Sequence, residues 1–138
     1  MAKNHLEDDH QRALFKWASF KPELETMYHV PNGGQRRQKE AARLSGLGVK
    51  PGVPDVCLPL ARCGYHSLYI EMKAPIVKGK PKPRVTSTQI AYLKQLKEQG
   101  HAAVVCYGWL AAKRIIELYL MDHPMSFDQQ LDNSSGKA

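Results

Sequence analysis

The sequence predicts an α/β domain in which a mixed β-sheet is flanked by α-helices, and three observations carry that expectation. Hydrophobic periodicity switches between helical and extended along the chain, in the order helix, strands, helix, strand, helix. Residues 67–73 alternate cleanly, with Leu68, Ile70 and Met72 on one face and Tyr69, Glu71 and Lys73 on the other. An apolar run at 102–107 follows a helical stretch at 86–99, which is the pattern of a right-handed β-α-β crossover joining parallel strands.

Taken in order, Leu6, His10, Ala13, Leu14 and Trp17 recur at helical spacing, so residues 5–20 read as an amphipathic helix with Asn4 as N-cap and Pro22 just past its end. Tyr28, His29 and Val30 form a short extended segment before the turn residues Pro31, Asn32, Gly33 and Gly34. Residues 35–45 are a basic helical stretch closed by Gly46 and Gly48. Residues 55–60 read as a short apolar strand, and Arg62, Cys63 and Gly64 turn the chain into the alternating strand. In the helix at 86–99, Ile90, Leu93 and Leu96 are expected to face inward, with Gly100 beyond the end. A last helix is expected at 109–121. Residues 1–121 then make one domain, and the polar stretch 122–138 reads as a disordered tail.

Composition narrows the function classes. Three cysteines, Cys57, Cys63 and Cys106, are odd in number and without a C-x-x-C pair, which argues against a disulfide framework or a zinc site and fits a reducing compartment. No apolar run approaches a membrane span and the N-terminus lacks a signal-peptide pattern, so a cytoplasmic protein is expected. Net charge is +7, and because residues 122–138 carry −2, residues 1–121 hold +9. A basic domain of this size calls for a polyanionic partner, nucleic acid being the commonest.

The chemistry concentrates in two segments, Gly52-Val53-Pro54-Asp55 and Ile70-Glu71-Met72-Lys73. Pro54 fixes its own φ and biases Val53 to an extended form, which makes the approach to Asp55 rigid. If the two segments are neighbouring strands, Asp55 and Glu71 converge on one hard cation and Lys73 stands beside them as a point charge. Taken alone, Glu71-x-Lys73 reads first as a structural ion pair or the polar face of an edge strand, and Asp55 equally as a turn residue. Glu7 and Gln89 are ambiguous in the same way. Asn4-x-x-Glu7 and Thr86-x-x-Gln89 are both capping boxes, yet both helices flank the predicted sheet. Arg36, Arg37, Lys39 and Arg43 follow the Gly-Gly turn. Lys78, Lys80, Lys82 and Arg84 occupy a Pro/Gly-punctuated stretch with no acidic residue from 74 to 85, read as a mobile loop for backbone phosphates. His10 lies on the apolar side of its helix and is expected in the core.

In joint order and spacing, Glu7-x-x-x-Gln11, Asn32-Gly33-Gly34, Gly52-Val53-Pro54-Asp55, Ile70-Glu71-Met72-Lys73 and Ser87-x-Gln89 resemble a VRR-NUC domain, the virus-type replication-repair branch of the PD-(D/E)xK nucleases. The resemblance spans about residues 6–107. It implies a restriction-endonuclease-like core that uses Mg²⁺ or Mn²⁺ to cut DNA phosphodiesters. It also implies that Asp55, Glu71 and the backbone carbonyl of Met72 are metal ligands, with Glu7 a further ligand from its helix, directly or through water. Lys73 is then the catalytic lysine and Gln89 a supporting residue. Minimal members of the family resemble Holliday-junction resolvases, which implies a homodimer acting on branched DNA and a phage origin. The dimer surface is not legible in the sequence, the last helix (Trp109, Ile115, Leu118) being one candidate contributor. A flap or replication-fork nuclease and a catalytically silent nucleic-acid-binding module are the alternatives.

Overall fold

The structure, a computed structural model, describes residues 5–31 and 38–128. The Asn4 cap, the Asn32-Gly33-Gly34 turn, Arg36, Arg37 and the chain beyond Asp128 lie outside the described residues. The elements are α1 (His5–Ala18), a 3-10 turn (Pro22–Leu24), β1 (Tyr28–His29), α2 (Gln38–Gly46), β2 (Val56–Leu58), β3 (Leu68–Lys73), α3 (Ser87–Glu98), β4 (Ala102–Tyr107) and α4 (Trp109–Leu120). They follow the expected order, with boundaries shifted by a residue or a few.

The sheet runs β1-β2-β3-β4. The first two pairings are antiparallel and β3 with β4 is parallel, so the sheet is mixed, as the crossover over α3 requires. Alternation sorts the side chains between two covered faces. Val56, Leu58, Leu68, Ile70, Met72, Val104 and Cys106 form one core with Leu14 and Ala18 of α1 and Ile115, Ile116 and Tyr119 of α4. On the other face Ala103 and Val105 pack with Leu93 of α3, flanked by Tyr69, Leu96 and Tyr107. Glu71 and Lys73, in step with Tyr69, therefore lie on the α3 side of an interior strand and are buried to 3% and 9% exposure.

Several expectations change in three dimensions. Ile90 is 55% exposed, and Leu6 is also exposed, because only one stripe of each helix reaches the sheet. In α4, Ile115 is buried, while Trp109 and Leu118 are half-buried against the same core and keep part of their surface exposed. The stretch expected to be a tail from Asp122 onward packs on the domain as far as Asp128. Phe127 is 2% exposed, its ring 5.8 Å from Tyr65 and 6.0 Å from Tyr119. Asp122 accepts a hydrogen bond from the Cys63 backbone N–H at 2.7 Å, and Asp128 lies 3.7 Å from Lys97. One buried aromatic outweighs the polar composition around it.

His10 is half-buried and has a definite task. Gly108 precedes α4 and has no side chain to cap it, and the Trp109 backbone N–H donates instead to His10 Nδ1 at 3.0 Å. The imidazole of α1 thus caps α4 and ties the two helices on that face.

Candidate active site

Asp55 is held by its backbone first. Gly52 has φ +83°, and a Cβ there would lie 2.7 Å from the Thr88 carbonyl oxygen, so only glycine lets this loop press on the start of α3. Pro54 is fully buried. The Asp55 carbonyl accepts a hydrogen bond from the Val30 N–H at 2.7 Å and lies 2.9 Å from His29 Nδ1. The β2–β3 register pairs Val56 with Ile70, and one step further along it Asp55 falls opposite Glu71. The Asp55 side chain then reaches across the strands, its Oδ2 accepting from the Met72 N–H at 2.8 Å. Because N–H and C=O of one strand residue point to the same side, the Met72 carbonyl also faces the Asp55 side rather than β4.

Gln89 joins the remaining groups. Its Nε2 donates to Glu71 Oε1 at 2.7 Å, and its Oε1 accepts from Lys73 Nζ at 3.0 Å. The same Oε1 accepts from the Thr86 N–H at 2.9 Å while Thr86 Oγ1 accepts from the Gln89 N–H at 3.2 Å, so the capping box is complete. The two readings of Gln89 left open by the sequence hold together in one side chain. Lys73 Nζ is also 3.7 Å from Glu71 Oε1. Glu71 Oε2 is buried and has no hydrogen-bond partner among the described residues.

The electrostatics follow from this enclosure. Burial pushes the Glu71 carboxyl up to about 8, the charge of Asp55 adds to that rise, and Lys73 opposes it. Burial also raises Asp55, against the pull of the Met72 N–H and of His29. Glu7 is half-buried on α1, near enough for its charge to contribute to the rise at Glu71. Among the described residues no three acidic, histidine or cysteine side chains gather at metal-ligand spacing, so the compact set is Asp55, Glu71 and the Met72 carbonyl, with Glu7 at its margin. His29 was not singled out by the sequence; a short strand two residues before a turn carries no signal that its ring will face Asp55.

The oxygen-only donors suit a hard cation such as Mg²⁺ or Mn²⁺. The unpartnered Glu71 Oε2 is the atom that such a cation, or a proton, is needed to satisfy. The predicted basic residues divide. Lys39 and Arg43 stand exposed on α2, where Arg43 pairs with Glu40 at 2.8 Å, outside the hydrogen-bond network of the site. Lys78, Lys80 and Arg84 are exposed in the loop that connects Lys73 to α3, and the Lys82 ammonium sits 4.9 Å over the Tyr107 ring.

A mixed sheet between helical layers, with two carboxylates and an ammonium converging where β2 and β3 meet, defines the restriction-endonuclease-like class. The VRR-NUC domain family matches residues 5–109, most of the chain, and the chain belongs to that family. It is thereby a nuclease of the PD-(D/E)xK type. A solved structure described as a VRR_NUC domain protein is 28% identical, with a TM-score of 0.72 over 94% of this chain and 98% of that one. No curated protein sequence matches the chain significantly. Among the described residues, no helix is long and apolar enough to cross a membrane.

Proposed function

We propose that this nuclease is a Mg²⁺- or Mn²⁺-dependent endodeoxyribonuclease that selects branched DNA, acting as a homodimer in the manner of a Holliday-junction resolvase. The observation that carries the metal reading is the buried, unpartnered Glu71 Oε2 beside Asp55. Asp55, Glu71 and the Met72 carbonyl would hold the cation, with Glu7 contributing directly or through water. When bound, such an ion stabilises charge building on the phosphate and makes a bound water more acidic. Gln89 fixes Glu71 and Lys73 relative to each other through one amide. Lys73 then presents a positioned ammonium beside the carboxylates, where it stabilises negative charge on the reacting phosphate. Four of the predicted cations follow Lys73 in a loop without acids, which supports a backbone-gripping role on a polyanion. Two nicks placed symmetrically in a four-way junction call for two active sites related by a two-fold axis, which is the argument for a dimer.

The test is incubation of end-labelled four-way junction, flap, fork and linear duplex with Mg²⁺ or Mn²⁺, comparing wild type with Lys73→Ala. Symmetric nicking of the junction, lost in the variant, is expected. Cutting confined to flap or fork would replace the junction reading, and cutting that survives Lys73→Ala would remove the role given to that lysine. DNA binding with no cutting under any metal would point to a silent binding module.

A further inference from the structure

The loop between β3 and α3 holds two features that phosphate contact alone leaves unexplained. Ile76 and Val77 follow Lys73 by three and four residues and are 54% and 44% exposed. Single exposed aliphatics are ordinary on a protein surface. These two are adjacent, β-branched and followed in sequence by Lys78, Lys80, Lys82 and Arg84, with no acid in the loop. At the chain's maximal reach of roughly 3.6 Å per residue, Ile76 lies within about 11 Å of Lys73 along the backbone.

The loop is also anchored at both feet. At its outgoing foot Pro75 packs at Gly108, where a Cβ would come within 3.4 Å of the Pro75 Cβ. At its returning foot Lys82 lies over the Tyr107 ring at 4.9 Å. Between them the chain reverses in a tight turn, with the Lys80 N–H donating to the Val77 carbonyl at 3.1 Å and Gly79 at φ +82°. Pro75, Pro81 and Pro83 restrict the backbone further. The result is a loop held at both feet that exposes two aliphatic side chains immediately ahead of its cations.

We infer that Ile76 and Val77 form a wedge that packs against the open face of an unstacked base at a DNA branch point, while Lys78 and Lys80 hold the adjoining phosphates. The inference rests on the DNA reading above and deepens it by naming the element that selects structure. An apolar side chain gains from a base face only where that face is exposed. In continuous duplex it must first open a stacked step, which costs energy; at a branch or bulge that opening is already made. The cations bind any backbone alike and bring affinity without this discrimination.

The experiment uses the full chain in EDTA, so that cutting plays no part. Affinity is measured by anisotropy for a four-way junction, a bulged duplex and a continuous duplex, and base unstacking by the fluorescence of 2-aminopurine placed at the branch or bulge. The Ile76→Ser/Val77→Ser protein is expected to keep its affinity for continuous duplex and to lose about tenfold of its preference for the branched and bulged forms, along with the 2-aminopurine response. Ile76→Phe, which enlarges the wedge, is expected to strengthen both. Lys78→Ala/Lys80→Ala should weaken all three DNAs together and lower the salt dependence. A double serine variant that retains the preference and the fluorescence response, or that weakens all three DNAs equally, overturns the wedge and leaves the DNA reading intact. Failure of the wild-type protein to bind any of the three overturns both.

Discussion

Glu71 is a carboxyl that the fold itself holds against ionisation, raised from an ordinary 4.5 to about 8 chiefly by burial. A carboxyl raised in this way stabilises the folded state fully only below its ordinary value, and that contribution is lost as pH climbs through the folded value. Thermal stability of the metal-free protein is therefore expected to decline from about pH 5 to about pH 8, a trend to which Asp55, raised in the same direction, adds. Glu71→Gln keeps the position neutral. Its melting midpoint in EDTA should exceed that of wild type by several degrees at the alkaline end, about 3–4 °C per kcal/mol gained, and should vary less with pH. An unchanged slope in scanning calorimetry would show that the burial of Glu71 does not govern it. Divalent cation should reverse the trend for wild type, since only the ionised pair binds it. Lys73→Arg is not expected to restore activity to this position, because the 3.0 Å contact to Gln89 suits a compact ammonium and not a planar fork.

At the scale of elements, α3 couples its own start to the site through Gln89, and two variants separate these duties. Thr86→Ala removes a cap and should cost about 1 kcal/mol of stability in urea titration, with cleavage little changed. Gln89→Ala removes the reciprocal half of the cap together with both site contacts, and cleavage should fall about tenfold or more beyond any loss of stability. Equal effects on cleavage from both variants would mean that Gln89 acts only as a cap. Gly52→Ala places a methyl against the Thr88 carbonyl in a left-handed backbone, and is expected to destabilise by about 1–3 kcal/mol. The capping box was legible as Thr86-x-x-Gln89 because both partners lie within one turn. That Gln89 also spans to Glu71 and Lys73 was not, since it depends on where α3 crosses β3. His10 is a clearer case, for its partner at Trp109 is 99 residues away and nothing local announces it.

For the whole molecule, the segment from Asp122 to Asp128 closes the fold, with Phe127 set between Tyr65 and Tyr119. Phe127→Ala should cost about 3–5 kcal/mol, and a chain ended after Met121 should lose at least as much, read as a lowered denaturation midpoint. An unaltered midpoint would return this segment to the status of a tail. The proposed dimer predicts a light-scattering mass twice the 15.5 kDa of the chain. Ile115 is buried, so of the three α4 residues only the half-buried Trp109 and Leu118 offer surface to a two-fold partner.

The sequence by itself determined the order of elements and the mixed α/β class, and brought Asp55, Glu71 and Lys73 forward as candidates. Each of these is written in short-range periodicity or in residue types a few positions apart. Only the tertiary structure decided that Gln89 serves cap and site together, that Ile90 faces solvent, that Phe127 belongs to the core and that the basic loop is pinned at Gly108 and Tyr107. The physical reason is the same throughout. Periodicity reports that a face is apolar or that a turn is capped, but which neighbour covers that face is set by contacts between residues far apart in the chain, and burial and charge state follow from those contacts.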